Sequence, residues 1–213
     1  MKTILSTLAI SVLSVVAVNA QTSYGIKTGV NLGKLSNHDE QGFNPSYFVT
    51  GFADISLSTQ FSIQPGISLQ GKGAKQIGRG YSYSQDATKD YKAELNTMSI
   101  EIPVNLVFYV PVGTGDVYLS TGPYIGYNIA GKVKEKGWAE SASGERKRDV
   151  TFSGKNKMVN RIDAGVNFGL GYKFSNGLLL QAGYGLGLSN LNANKAGKKY
   201  SNRTMNFGIG YQF

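Results

Sequence analysis

Five charged residues, Lys27, Glu101, Arg161, Asp163 and Lys173, fall on the polar side of stretches in which every second residue is apolar. Opposite charges in such places can do one thing well, which is to pair out of reach of water, because a buried charge is tolerated only with a partner. The expected network joins Glu101 and Asp163 to Lys27, Arg161 and Lys173. A second constellation, His38-Asp39-Glu40, has the residue types of a hydrolase that modifies lipids, but it sits in a loop between patterned segments. A loop holds catalytic groups poorly, so a solvated loop is the preferred reading. Two runs, Gly66 to Lys72 and Gly126 to Lys132, match the start of a phosphate-binding loop. They continue with Gly73 and Val133 instead of Ser or Thr, and they lie inside strand-like segments with no helix following. No G-x-S-x-G elbow is present. With one histidine and no cysteine, two-His zinc motifs, thiolate sites and disulfides are excluded. The chain is therefore expected to have no catalytic residue, no metal ligand and no cofactor.

The formal net charge is +9, and nearly all of the excess falls in three long connections between patterned segments. The outer-loop basic cluster comprises Arg146, Lys147 and Arg148 together with Lys195, Lys198 and Lys199. Clustered cations of this kind attract anionic surfaces. Trp138, in the longest connection, is a candidate interfacial anchor.

The elements that must position these groups are strands. Apolar residues recur with period 2 and not 3.6. The clearest run is Ile162, Ala164, Val166, Phe168, Leu170, Tyr172 and Phe174, against Asp163, Gly165, Asn167, Gly169, Gly171 and Lys173. Eight such strands are expected at about 24–35, 46–57, 61–72, 94–110, 116–131, 159–174, 178–190 and 200–213. Residues 46–57 carry apolar groups on both faces, so their sense stays open. Pro65, Pro103 and Pro123 each lack a ladder donor, which predicts bulges or strand ends there. Connections alternate between short and long, as in an up-and-down barrel that crosses an outer membrane. The predicted fold is an all-β, eight-stranded antiparallel up-and-down transmembrane β-barrel.

Glycine decides which face points where. The chain has 28 glycines, and about half of them lie on the polar face, for example at 25, 29, 66, 122, 126, 165 and 208. Small residues suit the crowded inner wall of a narrow barrel and would only weaken strands on a solvated outer face. The apolar face is bulky, with Tyr24, Phe61, Phe108, Phe174, Tyr211 and Phe213 near strand ends, as lipid contact with aromatic girdles requires. The alternative is a soluble periplasmic ligand-binding barrel, with the apolar face inward. Eight strands leave an interior just filled by side chains, so no wide pore is expected.

Export is written at the start. Lys2 precedes an uncharged run from Ile4 to Val18, and Val18-Asn19-Ala20 places small residues at a cleavage site before Gln21. This is the order of a secretory signal peptide, and the run is too short for a spanning helix. The expected organisation is a signal peptide over 1–20 and one barrel domain over 21–213. Export also argues against nucleic acid as the basic chain's partner.

The mature chain resembles the porin-like outer-membrane β-barrel family that includes PorT-like proteins. The residues that carry the resemblance are Tyr24 to Asn31, Phe61 to Gly66, Ile100 to Val104, and Gly208 to Phe213. The terminal Tyr211 and Phe213 look like the signal read by the outer-membrane assembly machinery. The resemblance implies location in the cell outer membrane and the barrel architecture but no single activity; the expected role is structural, adhesive or assembly-related, with a link to secretion carried by the resemblance alone. Expected partners are outer-membrane lipids, with lipopolysaccharide phosphates facing the basic loops, and the assembly machinery; no oligomeric state is implied.

Overall fold

The computed structural model describes residues 21–37, 41–82, 87–136, 145–154, 156–194 and 197–213. The segment 1–20, the triplet His38-Asp39-Glu40, Trp138 and Lys195 lie outside the described residues. The strands run in the order β1 (Thr22–Leu35), β2 (Gln41–Gly42), β3 (Asn44–Ser56), β4 (Phe61–Ser82), β5 (Ala87–Val112), β6 (Gly115–Lys136), β7 (Glu145–Asp149), β8 (Ile162–Lys173), β9 (Leu178–Gly187) and β10 (Asn202–Gln212). Eight of these are long, and each long strand pairs antiparallel with the next. β10 returns to β1, from Gly25↔Gln212 through Leu35↔Asn202, and closes the ring. Closure removes the unpaired edges that an open sheet would expose. Short β2 rides on β4, and β7 pairs with β6.

The facing follows the period-2 pattern. Ile26, Val30, Ile100, Ile102, Leu119, Ile125, Leu170 and Ile209 point outward, each about half exposed. Residues between them point into the ring, where Asn31, Ser68, Glu101, Asn128 and Asp163 are buried. An apolar outside and a polar inside is the arrangement for lipid, and it is the reverse of a soluble barrel. β3 takes its sense from the same rule: Phe48, Phe52 and Asp54 are buried inside, while Tyr47 and Val49 face out.

Three strands run further than the apolar alternation. β4 and β5 continue together as one hairpin out to Ser82↔Ala87, across residues expected as a loop. β6 continues to Lys136 and takes β7 as its partner. Apolar alternation marks where lipid lies and not where pairing ends, so the polar upper halves of these strands look like loop in the sequence. β8 and β9 are shorter than expected, because Val159 and Asn192 meet only as an isolated bridge. The prolines sit inside strands without any register shift. Paired positions lapse beside Pro65 and Pro103, at 66–67 opposite 102–103. The shift falls elsewhere, where Met98 pairs Ala130 but Ser99 pairs Asn128, which leaves Ile129 as an extra residue in β6.

At one end the connections are tight. Gly113 (φ 66°) and Gly177 (φ 88°) hold the turns after β5 and β8 in the left-handed region, where a side chain would be strained. At the other end the stretches 150–154 and 156–160 fold over the mouth. There Val150, Phe152, Val159 and Leu191 form a buried apolar cluster against Leu35, Leu95, Val133, Met158 and Tyr200.

Candidate functional site

The lumen is built in layers. Nearest the capped mouth, Lys72 on β4 reaches two carboxylates: its Nζ lies 2.6 Å from Glu101 Oε1 and 3.1 Å from Asp163 Oδ2. All three side chains are essentially removed from solvent. One ammonium leaves two carboxylates with an unbalanced charge, and neutral donors absorb it. Asn202 Nδ2 donates to Asp163 Oδ2 at 2.8 Å, Ser189 Oγ to Asp163 Oδ1 at 3.1 Å, and Ser99 Oγ to Glu101 Oε1 at 2.8 Å. Tyr124 adds weaker contacts to Asp163, and its ring lies 4.1 Å below the Lys72 ammonium. The strut therefore ties β4, β5, β6, β8 and β10 across the ring. Gly126 makes it fit, since a Cβ there would lie 2.9 Å from Glu101 Cγ.

A second polar layer lies toward the turns, around Asp54 on β3. Its Oδ2 accepts from Gln64 Nε2 at 3.1 Å, Gln212 Nε2 at 3.1 Å and the Tyr109 hydroxyl. Lys27 joins through Gln64, donating to its Oε1 at 3.2 Å. The Lys27 ammonium also sits over the Phe52 ring at 4.4 Å and the Tyr118 ring at 5.4 Å. Phe52, Val107, Tyr118 and Leu179 pack around it as a small inner core. Between the two layers remains a cavity of about 90 Å³, walled by Lys27, Gln64, Gln70, Asn105, Gln181 and Asn206 among others. That is space for a few waters and not for a solute stream. On the turn side the lumen widens into a polar bowl of about 650 Å³.

The expected interior set is thus divided. Glu101 and Asp163 come together, but on Lys72. Lys27 belongs to the Asp54 layer, and Lys173 lies near the turns with its ammonium 5.5 Å from the Tyr109 ring. Arg161 is outside the lumen network altogether: it donates to the Tyr127 hydroxyl at 2.9 Å, and that tyrosine faces outward. Lys72 had a visible signal, because it is the next even position after Ser62, Gln64, Gly66, Ser68 and Gln70. Asp54 had none, since β3 carries aromatics on both faces.

The basic residues form a sheet beyond the apolar belt. Along one row of its register Lys75 pairs Glu94, Glu94 pairs Lys134, and Lys134 pairs Lys147. The row beneath reads Asn96, Lys132 and Asp149. Even positions on β5 run from Ile102 and Ile100 in the belt through Met98 to Asn96 and Glu94, so both rows lie on the outward side. The extra residue Ile129 is what sends Lys132 and Lys134 outward and Val133 inward to the apolar cluster. Arg146 and Arg148 lie on the opposite side from Lys147, with Arg148 Nη2 2.7 Å from Glu135 Oε1. Lys198 and Lys199 are exposed, and their carbonyls accept from Asn192 and Asn37. Tyr211 and Phe213 face outward at the turn end, ring against ring at 6.4 Å.

A comparison with known families agrees with this architecture. The family model described as outer membrane protein beta-barrel domain matches residues 19–193. No curated protein matches. Among solved structures, Ail, the attachment invasion locus protein of Yersinia pestis, is similar at 12% identity over 92% of this chain and 99% of that one, with a TM-score of 0.41. Neisserial surface protein A, NspA, is similar at 12% identity over 92% and 99%, with a TM-score of 0.43. The translocator domain of the autotransporter NalP from Neisseria meningitidis is similar at 15% identity over 100% and 96%, with a TM-score of 0.33.

Proposed function

From the premise that this chain belongs to the outer membrane protein beta-barrel domain family, we propose that it is a non-enzymatic anchor whose basic sheet grips phosphate headgroups of the outer leaflet. The barrel is a β-barrel of the outer membrane; the role is structural and adhesive. The observation that carries the reading is the register above the belt. It lines Lys75, Lys132, Lys134 and Lys147 on the side that, one turn of the pattern lower, presents Ile100, Ile102, Ile125 and Tyr127 to lipid. Lysines in that position meet the headgroups of the same lipids whose chains cover the belt. Each cation near an anionic surface contributes about 1 kcal/mol. An exported chain begins in the periplasm, so the tight turns after β3, β5 and β8 face the periplasm and the basic sheet faces the cell exterior. Tyr211 and Phe213, on the last strand, serve as the signal for the assembly machinery.

The non-enzymatic reading is supported by the lumen itself. Lys72, Glu101 and Asp163 are acid and base groups, but they are spent on one another and enclosed between the apolar cluster and the 90 Å³ cavity. The same filling supports a barrel that passes no solute stream.

The test is lipid retention. Protein refolded in micelles with bis-phosphorylated lipid A should keep lipid phosphate through gel filtration in moderate salt. The double variant Lys132→Glu, Lys134→Glu should keep several-fold less while remaining folded by heat-modifiable gel mobility. Equal phosphate on both proteins would sink the assignment.

A further inference from the structure

The basic sheet is hollowed where it meets the belt. A cleft of about 860 Å³ opens there, walled by the polar groups of Asn96, Lys132, Lys134 and Asp149 and by the apolar side chains of Met98 and Ile129. That volume lies in the range of small-molecule sites, about 300–1,000 Å³. Glu94, also in the wall, has Lys92 as its partner at 3.2 Å. Among the described residues, neither the Lys132 and Lys134 ammoniums nor the Asp149 carboxylate has an ion-pair partner within 4 Å. Lys132 and Asp149 are neighbours in register, yet they do not close on each other. The register sets Asn96, Lys132 and Asp149 side by side on β5, β6 and β7. An amide, an ammonium and a carboxylate thus follow one another at the strand spacing of about 4.8 Å. Lys134 stands two residues above Lys132 on the same side. The amide is held from behind: Asn44, buried at 4% exposure, donates through Nδ2 to Asn96 Oδ1 at 2.9 Å and leaves Asn96 Nδ2 as a donor.

Two ammoniums without partners call for an anion such as phosphate. The carboxylate beside them repels that anion unless the ligand also brings hydrogens, because an ionised Asp only accepts. A bare phosphate headgroup satisfies Lys132 and Lys134 and leaves Asp149 opposed. A phosphorylated sugar answers every group in the cleft. Its phosphate meets the two lysines, a neighbouring hydroxyl donates to Asp149, another accepts from Asn96, and the carbon face of the ring lies on Met98 and Ile129. The cleft also opens onto lipid, since the outward series of β5 continues from Met98 to Ile100 and Ile102 in the belt. We infer that the cleft is a binding site for the phosphorylated sugar headgroup of a glycolipid whose acyl chains run down the belt. Asp149 and Asn96 are the groups that select a sugar over a plain phosphate. The inference rests on the headgroup reading above and narrows it from phosphate lipids at large to phosphoglycolipids.

The experiment loads the refolded barrel in micelles, in parallel, with bis-phosphorylated lipid A and with dioleoyl phosphatidic acid, which carries phosphate without a sugar. The lipid kept through gel filtration is measured for each. The parent should keep about tenfold more lipid A than phosphatidic acid, the ratio that one hydrogen bond to a charged group supplies. Asp149→Ala should bring the two close to equal, losing lipid A and gaining phosphatidic acid as the repelling carboxylate goes. Should Asp149→Ala lack the heat-modifiable mobility of a folded barrel, Asn96→Ala gives the second reading, and the same ratio should fall. Equal retention of the two lipids by the parent, or a ratio unmoved in the folded variant, would overturn the sugar site and leave the hold of the lysines on phosphate standing. Retention of neither lipid by the parent would overturn the site together with the headgroup reading.

Discussion

Lys72 Nζ lies 3.1 Å from Asp163 Oδ2 although 91 residues separate the two in the chain. The pair joins β4 to β8 across the lumen, and Glu101 shares the same ammonium from β5. Breaking a buried pair by removing one partner strands the other charge. That typically costs about 3–5 kcal/mol. Lys72→Met should therefore lower the stability of the refolded barrel by about that much, read as a shift in urea unfolding in lipid vesicles. Adding Glu101→Gln to it should recover part of the loss, because one stranded carboxylate is then neutral. A Lys72→Met barrel as stable as the parent would mean that the strut carries no stability.

The belt and the lumen should respond differently to substitution. Leu170 faces outward and Asn167 inward. Leu170→Arg should cost about 2–4 kcal/mol where the strand crosses mid-bilayer. Asn167→Ser should cost far less in the same unfolding assay. Equal losses would contradict the facing.

The extra residue in β6 sets the sense of the basic rows. Deleting Ile129 and Ala130 together closes the bulge one residue short, which turns Val133 to the outside and Lys132 and Lys134 to the inside. The expected outcome is loss of the lipid phosphate retained by the parent, with the apolar cluster at the mouth opened to protease. Retention unchanged by the deletion would separate lipid binding from these two lysines.

The terminal aromatics can be tested apart from stability. Phe213 is largely exposed and contributes little to the lumen. Phe213→Ala should reduce the amount of protein recovered in the outer membrane, while the purified variant refolds with the parent's heat-modifiable mobility. If recovery is normal, the assembly signal lies elsewhere.

What could be read from residue order follows from what lipid imposes. A belt of Ile, Leu, Val and Phe at every second position has to face the same solvent, so closure, the number of long strands and the facing of all of them but β3 were legible. The interior had no such constraint. Lys72 continues the even-numbered polar series at the end of the 61–72 strand, but the apolar positions stop after Leu69, so the residue order does not mark its side chain as a lumen group. Asp54 was hidden because Phe48 and Phe52 fill the lumen while Tyr47 and Val49 face lipid, giving β3 two apolar faces. The β6 bulge was hidden for a different reason: Ile129 fits either parity, and only pairing with Met98 and Ser99 reveals it as extra.

The last strand touches both buried anionic layers. Asn202, at its start, donates to Asp163, and Gln212, at its end, donates to Asp54. A chain with nine strands in place and β10 still absent holds two carboxylates each short of a donor, at opposite ends of the lumen. Insertion of the final strand supplies both at once, along with the seam to β1. The polar interior thus works as a completeness check on assembly: partial rings are penalised from within, and the finished ring is favoured at two points that no earlier strand can satisfy.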